Sequence, residues 1–204
     1  MPPDQTDRTA AKVTLWLDPV CPFSWNTAQW LRAVAEQAGF DVDWQLMSLA
    51  VLNEGRELLP PQQARMRDSQ RAGRLMAAIA QQNGAGGWSD AYFAFGERYF
   101  DRSEPLDDDL VAHVLSAAGA ADSAAKAGAE AALDEAVRKA HRAGQDALGE
   151  TGGSPILRID GRAFFGPVLT APPDADAALA LFDAVATLAA VPQFSQLQRP
   201  RAAA

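Results

Sequence analysis

Between Val13 and Leu17 the chain reads VTLWL, five apolar or β-prone residues with no breaker, the mark of a short buried strand. Asp18-Pro19 ends the run, because proline restricts the residue before it and cannot donate to a ladder. After Cys21-Pro22 the apolar spacing becomes helical. Ala28, Leu31, Val34, Ala35 and Ala38 share one face, and Gly39 stands where a helix would stop. A second strand is predicted over Val42 to Leu49. A β-α-β start of this kind is read as a right-handed parallel unit.

From Pro60 to Leu148 no run has strand character. Ala72, Leu75, Met76 and Ile79 form one helical stripe. Tyr92, Phe95, Gly96 and Tyr99 form a second, with Ser89 as its cap. Leu110, Val111, Val114, Leu115 and Ala118 form a third behind Asp107-Asp108-Asp109, and Leu133, Val137, Ala140 and Gly144 mark a fourth. Loops are expected at GAGG (84–87) and at Arg102 to Pro105. Strand character returns at Ile156 to Ile159. Asp160-Gly161 signals a tight turn into Ala163-Phe164-Phe165, which makes a hairpin. A last helix follows Pro172-Pro173 with its cap near Asp174. It buries Ala178, Leu181, Phe182, Val185 and Leu188.

The order is β-α-β, a helical block, then β-β-α. It predicts an α/β protein with a thioredoxin-like core split by an all-helical insertion. The core covers 12–59 and 149–191, the insertion 60–148, and tails 1–11 and 192–204.

Composition narrows the chemistry. The net charge is −8 over 204 residues, without a Lys/Arg cluster, which argues against nucleic acid and anionic membrane as partners. No stretch reaches the roughly 18 apolar residues of a membrane helix. The start, MPPDQTDRTAAK, lacks the apolar core of a secretory signal. A cytoplasmic protein is expected. Cys21 is the one cysteine, so an internal disulfide and a Cys-based zinc cluster are both ruled out, and His113 and His141 alone make a poor metal site. Any redox cycle must use a partner thiol.

Cys21-Pro22-Phe23-Ser24 sits where strand hands over to helix, with proline at the favoured first helical position. Backbone N–H groups and the helix dipole there stabilise a thiolate. The expectation is a Cys21 pKa below the ~8.5 of a free thiol and a nucleophilic sulfur. Ser24, one turn on, can hydrogen-bond that sulfur but cannot attack a disulfide. Gly152-Gly153-Ser154-Pro155 leads into the hairpin in a manner that suits a cis peptide. Either motif alone also fits a plain alternative, a buried inert cysteine or an ordinary loop proline.

Taken together, LDPVCPFSW, MSLAVLNEGRELLP, RKAHRAG, GGSPILRIDG and FFGPVL resemble the DsbA-like branch of the thioredoxin superfamily, and most closely its actinobacterial mycothiol-dependent reductases and nitroreductases. The resemblance runs over most of the chain. It implies a cis Pro155 facing Cys21, a helical lid between the core halves, and a low-molecular-weight thiol, mycothiol, as co-substrate without metal. The expected substrate is a small molecule or a mixed disulfide. Relatives commonly carry Cys-Pro-Trp-Cys, and Ser24 here replaces the second thiol. A monothiol route remains: Cys21 becomes mixed with one thiol molecule and a second releases it.

Catalysis is therefore assigned to Cys21 and Ser24, and substrate contact to Pro22, Phe23, Trp30, Asn53, Ser154 and Pro155. Asn53 follows the second strand, whose C-terminal end opens on the Cys21 edge, and reads equally well as a turn former. Trp30 enters as a pocket wall by family analogy only. Trp25 flanks the active helix. Trp16 and Trp44 read as core, and His141 as a packed or solvated histidine. Two other functions fit the same fold: a kappa-class glutathione-transferase or hydroxychromene-carboxylate-isomerase relative, with no net redox, and a catalytically silent thioredoxin-like binding module.

Overall fold

The computed structural model describes residues 10–122, 124–126 and 130–200. The expected N-terminal tail lies almost wholly outside them. Strand β1 (Val13–Leu17) is the hub of a four-stranded sheet of order β2-β1-β3-β4. It pairs in parallel with β2 (Val42–Leu46) and antiparallel with β3 (Ile156–Ile159). β3 in turn pairs antiparallel with β4 (Arg162–Phe165). The parallel pair requires a crossover, supplied by α1 (Pro22–Ala38), which ends at Gly39 with φ 75°, a left-handed backbone that glycine adopts without strain.

The two faces of β1 build different cores. Val13, Leu15 and Leu17 belong to the main core shared with Leu31 and Trp30 of α1 and with Phe182 of the C-terminal helix (Ala175–Ala189). Trp16 points the other way. It joins Met47 and Ile156 in a smaller cluster, with Ala147 and Leu148 packed against it. These last two come from the helix Asp134–Leu148, whose Gly144 lies so close to Trp16 that an added Cβ would stand 3.1 Å from the indole. The alternation follows from the period-2 geometry of a strand covered on both sides.

Between β2 and β3 the chain is helical, and three details differ from the sequence reading. β2 stops at Leu46 instead of Leu49, because the Ser48 hydroxyl accepts the Val51 N–H and caps a one-turn helix, α2 (Leu49–Leu52). The first two predicted insertion helices are present and meet at the expected GAGG, but the loop there shrinks to one residue, so the two segments are labelled together as α3 (Pro60–Gly96). Only Gly84 leaves helical geometry, at φ 69° and ψ −162°, which kinks the helix. Ser89 is interior and donates to Gly86 O, so it is no cap. α3 runs into a π-helical turn (Glu97–Asp101) and a loop, then α4 (Asp108–Ala117), where Asp107 accepts the Leu110 N–H at 2.9 Å. The helices 134–148 (α5) and 175–189 (α6) complete the order. Arg74 of α3 grips Asp134 of α5 with two bonds of 2.6 and 2.7 Å, a bidentate geometry.

No helix among the described residues is long and apolar enough to cross a membrane, and none of their His, Cys, Asp and Glu side chains cluster as metal ligands.

Candidate active site

Cys21 is the N-cap of α1. Its carbonyl accepts the Trp25 N–H at 3.0 Å, and Pro22 opens the helix. Across from it the Ser154–Pro155 peptide bond is cis, as is Gly166–Pro167. The Cys21 thiol donates to the Ser154 carbonyl at 3.4 Å. Ser154 also works through its hydroxyl, which accepts the Asp18 N–H at 2.8 Å and lies 2.6 Å from Ser24 Oγ. Cys21, Ser24, Ser154 and Pro155 are thus drawn together by the end of β1, the start of α1 and the approach to β3. Cys21, Ser24 and Ser154 are all buried.

The electrostatics correct one expectation. Burial pushes the Cys21 thiol above its ordinary pKa. The Ser24 hydroxyl and the Ser24 and Phe23 amides pull it down, and the Asp18 charge adds to the rise. Desolvation outweighs the donors at the helix end, which alone would have lowered the pKa. Cys21 is only 4% exposed. Its sulfur is a proton donor to a carbonyl, and ionising it in place would set a thiolate against that carbonyl's lone pairs.

Asp18, read from sequence only as a strand end, is the organising acid. It is fully buried. Its carboxylate accepts the N–H of Val20 at 2.8 Å, the N–H of Leu49 at 2.6 Å and the hydroxyl of Ser69. One side chain thereby ties the Cys21 loop, α2 and the lid helix α3. Desolvation raises its pKa against the pull of those donors and of Arg65. Ser69 is a small polar residue inside an apolar helical stripe, and that was the signal available. Asn26 and Thr27 were also missed. They bond Leu169 O at 3.0 Å and Pro167 O at 2.8 Å, holding the FFGPVL segment to α1.

Trp25 joins α1 to the lid. Its indole N–H donates to Asp101 at 2.8 Å, its ring stacks on Phe100 with centroids 5.9 Å apart, and it meets Tyr92 edge-on. The insertion therefore lies over the edge of the sheet that carries Cys21.

Two other assigned residues, Trp30 and Asn53, sit elsewhere. Trp30 is no pocket wall at the sulfur: it is buried between α1 and α6, where its indole donates to Ala178 O at 2.9 Å. Asn53 ends α2 and spends its amide on Leu49 O at 2.8 Å, so it behaves as a turn former. Pro22 and Phe23 are half-buried beside the thiol. His141 is a packed histidine, its Nδ1 accepting the Ser48 N–H at 3.4 Å and its pKa lowered by burial.

The chain is 32% identical over 199 residues to the uncharacterized protein Rv2286c of Mycobacterium tuberculosis, spanning 94% of this chain and 83% of that one. Two solved structures share the fold. One is 2-hydroxychromene-2-carboxylate isomerase, at 18% identity and TM-score 0.60 over 86% of this chain and 95% of that chain. The other is described as a probable DsbA oxidoreductase from Streptomyces coelicolor, at 18% identity and TM-score 0.57 over 94% of each. A family model described as mycothiol-dependent nitroreductase Rv2466c matches residues 20–199. With a DsbA-like thioredoxin fold, a helical insertion and this match over most of its length, the chain belongs to the Rv2466c-like family.

Proposed function

We propose that the protein is a thiol-dependent oxidoreductase in which Cys21 runs a monothiol cycle with a low-molecular-weight thiol, mycothiol by family. The observation that carries the reading is the meeting of the Cys21 sulfur, at a helix N-terminus, with the Ser154 carbonyl before the cis Pro155, while a hydroxyl occupies the position of a second thiol.

In the first step the Cys21 thiol loses its proton to solvent. Its sulfur attacks the low-molecular-weight thiol's sulfur in a mixed disulfide, a bond forms to Cys21, and the substrate's sulfur leaves with the electron pair as a thiolate that takes up a proton. A second thiol then attacks the adduct, regenerates Cys21 and carries the oxidised pair away as a symmetric disulfide. Ser24 hydrogen-bonds the reacting sulfur and cannot resolve the adduct. Because burial holds the resting thiol protonated, the lid must part from Cys21 before attack. Hydration then removes the desolvation cost and leaves the helix amides to stabilise the thiolate.

The test is intact mass after exposure to oxidised mycothiol and, in parallel, to glutathione disulfide. One thiol adduct per chain, absent in Cys21→Ala, is the expected result. Reduction of substrates without any adduct would overturn the monothiol cycle. Thiol conjugation or isomerisation of a carbon substrate that survives Cys21→Ala would replace it with the isomerase-like chemistry.

A further inference from the structure

The insertion meets α1, and the loop before α1, along a seam beside Cys21. Two polar bonds cross this seam. The Ser69 hydroxyl donates to the Asp18 carboxylate, and the Trp25 indole N–H donates to Asp101 at 2.8 Å. Tyr92 of α3 lies on the same seam. Its ring meets the Trp25 indole edge-on with centroids 5.9 Å apart, and it stacks on Trp88 of its own helix at 5.5 Å. The hydroxyl lies where the charges of Cys21 and Asp18 both bear on it. Tyr92 is fully buried, and its hydroxyl is the one buried side-chain polar atom without a hydrogen-bond partner among the described residues.

A phenylalanine would make the same ring contacts and leave no buried donor unpaired. The hydroxyl therefore adds nothing to the closed packing and raises its free energy. Parting the seam lets water satisfy it, while the same opening breaks the Ser69 and Trp25 bonds. The two made bonds hold the seam shut, and the unmade one favours opening. Cys21 is only 4% exposed in the closed form, so this balance governs the fraction of chains whose sulfur a reagent can reach.

We propose that Tyr92 is a positioning residue for the Cys21 reaction: its unpaired hydroxyl keeps the seam between α1 and α3 ready to part, and so sets how often the sulfur is uncovered. The proposal deepens the opening step of the monothiol reading above, and one of its two readouts needs no thiol.

The experiment compares the parent with Tyr92→Phe. Cys21 alkylation is timed in the folded protein and divided by its rate in the urea-unfolded chain. Hydrogen exchange of the Trp25 indole N–H, followed by NMR in a Cys21→Ala background, reports the same opening without the sulfur. Both folded-state rates are taken without denaturant, where local opening and not global unfolding sets them. Tyr92→Phe should slow both on the order of tenfold, the factor that ~1.4 kcal/mol gives. Ser69→Ala removes a bond that the seam does make and should speed both. Rates unchanged or raised in Tyr92→Phe overturn the proposal. So does slowing of alkylation alone, which would make the hydroxyl a donor to the thiolate. Slowing of exchange alone overturns it too, since Trp25 would then be freed without uncovering the sulfur. Failure of the monothiol cycle looks different: no thiol adduct forms on Cys21, while the indole exchange still answers for Tyr92.

Discussion

Ser24 Oγ lies 2.6 Å from Ser154 Oγ, so the residue one turn beyond Cys21 is bonded to the residue whose carbonyl receives the Cys21 thiol. The hydroxyl also acts on the Cys21 sulfur, whose pKa it lowers. A sulfur placed at position 24 would stand within reach of Cys21, since residues three apart on a helix face each other. Ser24→Cys should therefore close an internal disulfide between Cys21 and the introduced thiol on oxidation, and expel any thiol adduct. Mass spectrometry would show a loss of two hydrogens and no free thiol. Two free thiols surviving a mild oxidant would mean that the backbone cannot meet disulfide geometry.

The thiol's pH behaviour follows from its raised pKa. The neutral form stabilises the fold fully below the unfolded-state value of ~8.5, and this contribution is lost as pH rises through the folded value. Two measurements check it. Cys21 alkylation in the parent should have its midpoint above that of a free thiol. Asp18→Asn should move the midpoint down, because the Asp18 charge is one of the causes that raise it. An unchanged midpoint in a folded variant would show that Asp18 does not act on the sulfur. The variant is also expected to lose stability, since an amide nitrogen in place of one carboxylate oxygen would face the N–H of Val20 or Leu49.

The close packing of the insertion on Trp25 depends on Gly96. A Cβ there would stand 2.2 Å from the Trp25 ring, closer than atoms can approach. Gly96→Ala should displace Trp25, at a cost of roughly 1–3 kcal/mol for overpacking. It should also loosen the bond from Trp25 to Asp101, expose Cys21 and speed its alkylation. Gly84→Ala is the contrast: nothing lies within 4 Å of that position, and only its φ of 69° resists the change. It should destabilise the kink and leave Cys21 reactivity alone. Equal alkylation rates in parent and Gly96→Ala would dissociate the Trp25 contact from access to the sulfur.

Local signals made much of this molecule legible in advance. VTLWL, the Cys21-Pro22 helix start, Asp160-Gly161 and the Asp174 cap each act within a few residues, and β1, α1, the hairpin and α6 stand where those signals put them. The GAGG signal marked a real break, which Gly84 alone supplies with φ 69° and ψ −162°, while the residues after it resume the helix at once. Trp30 was assigned by analogy and Asn53 from its place after the second strand, and their polar atoms are spent on Ala178 O and Leu49 O. Asp18 and Ser69 are 51 residues apart in the chain. Nothing local announces that a strand-ending aspartate and a helical serine will meet. The thiol's raised pKa was hidden for the same reason, because desolvation depends on the insertion folding back over Cys21.

Two tyrosines in the lid should respond to loss of their hydroxyls with opposite signs. Tyr92 is fully buried and its hydroxyl has no hydrogen-bond partner among the described residues. Burial, with the charges of Cys21 and Asp18, pushes its pKa well above that of a free tyrosine, so it stays protonated. A buried donor left unpaired costs about 1–3 kcal/mol. Tyr92→Phe removes that cost and keeps the ring, which stacks on Trp88 and meets Trp25 edge-on. The variant should be as stable as the parent or more so, read as an equal or higher urea midpoint at unchanged slope. Tyr99 is half-buried and donates to Asp68 at 2.9 Å. Tyr99→Phe forfeits that bond and should lose about 1 kcal/mol, the net worth of a typical hydrogen bond. Destabilisation of Tyr92→Phe by as much as Tyr99→Phe would show that the Tyr92 hydroxyl is hydrogen-bonded in solution, and the predicted difference in sign would fail.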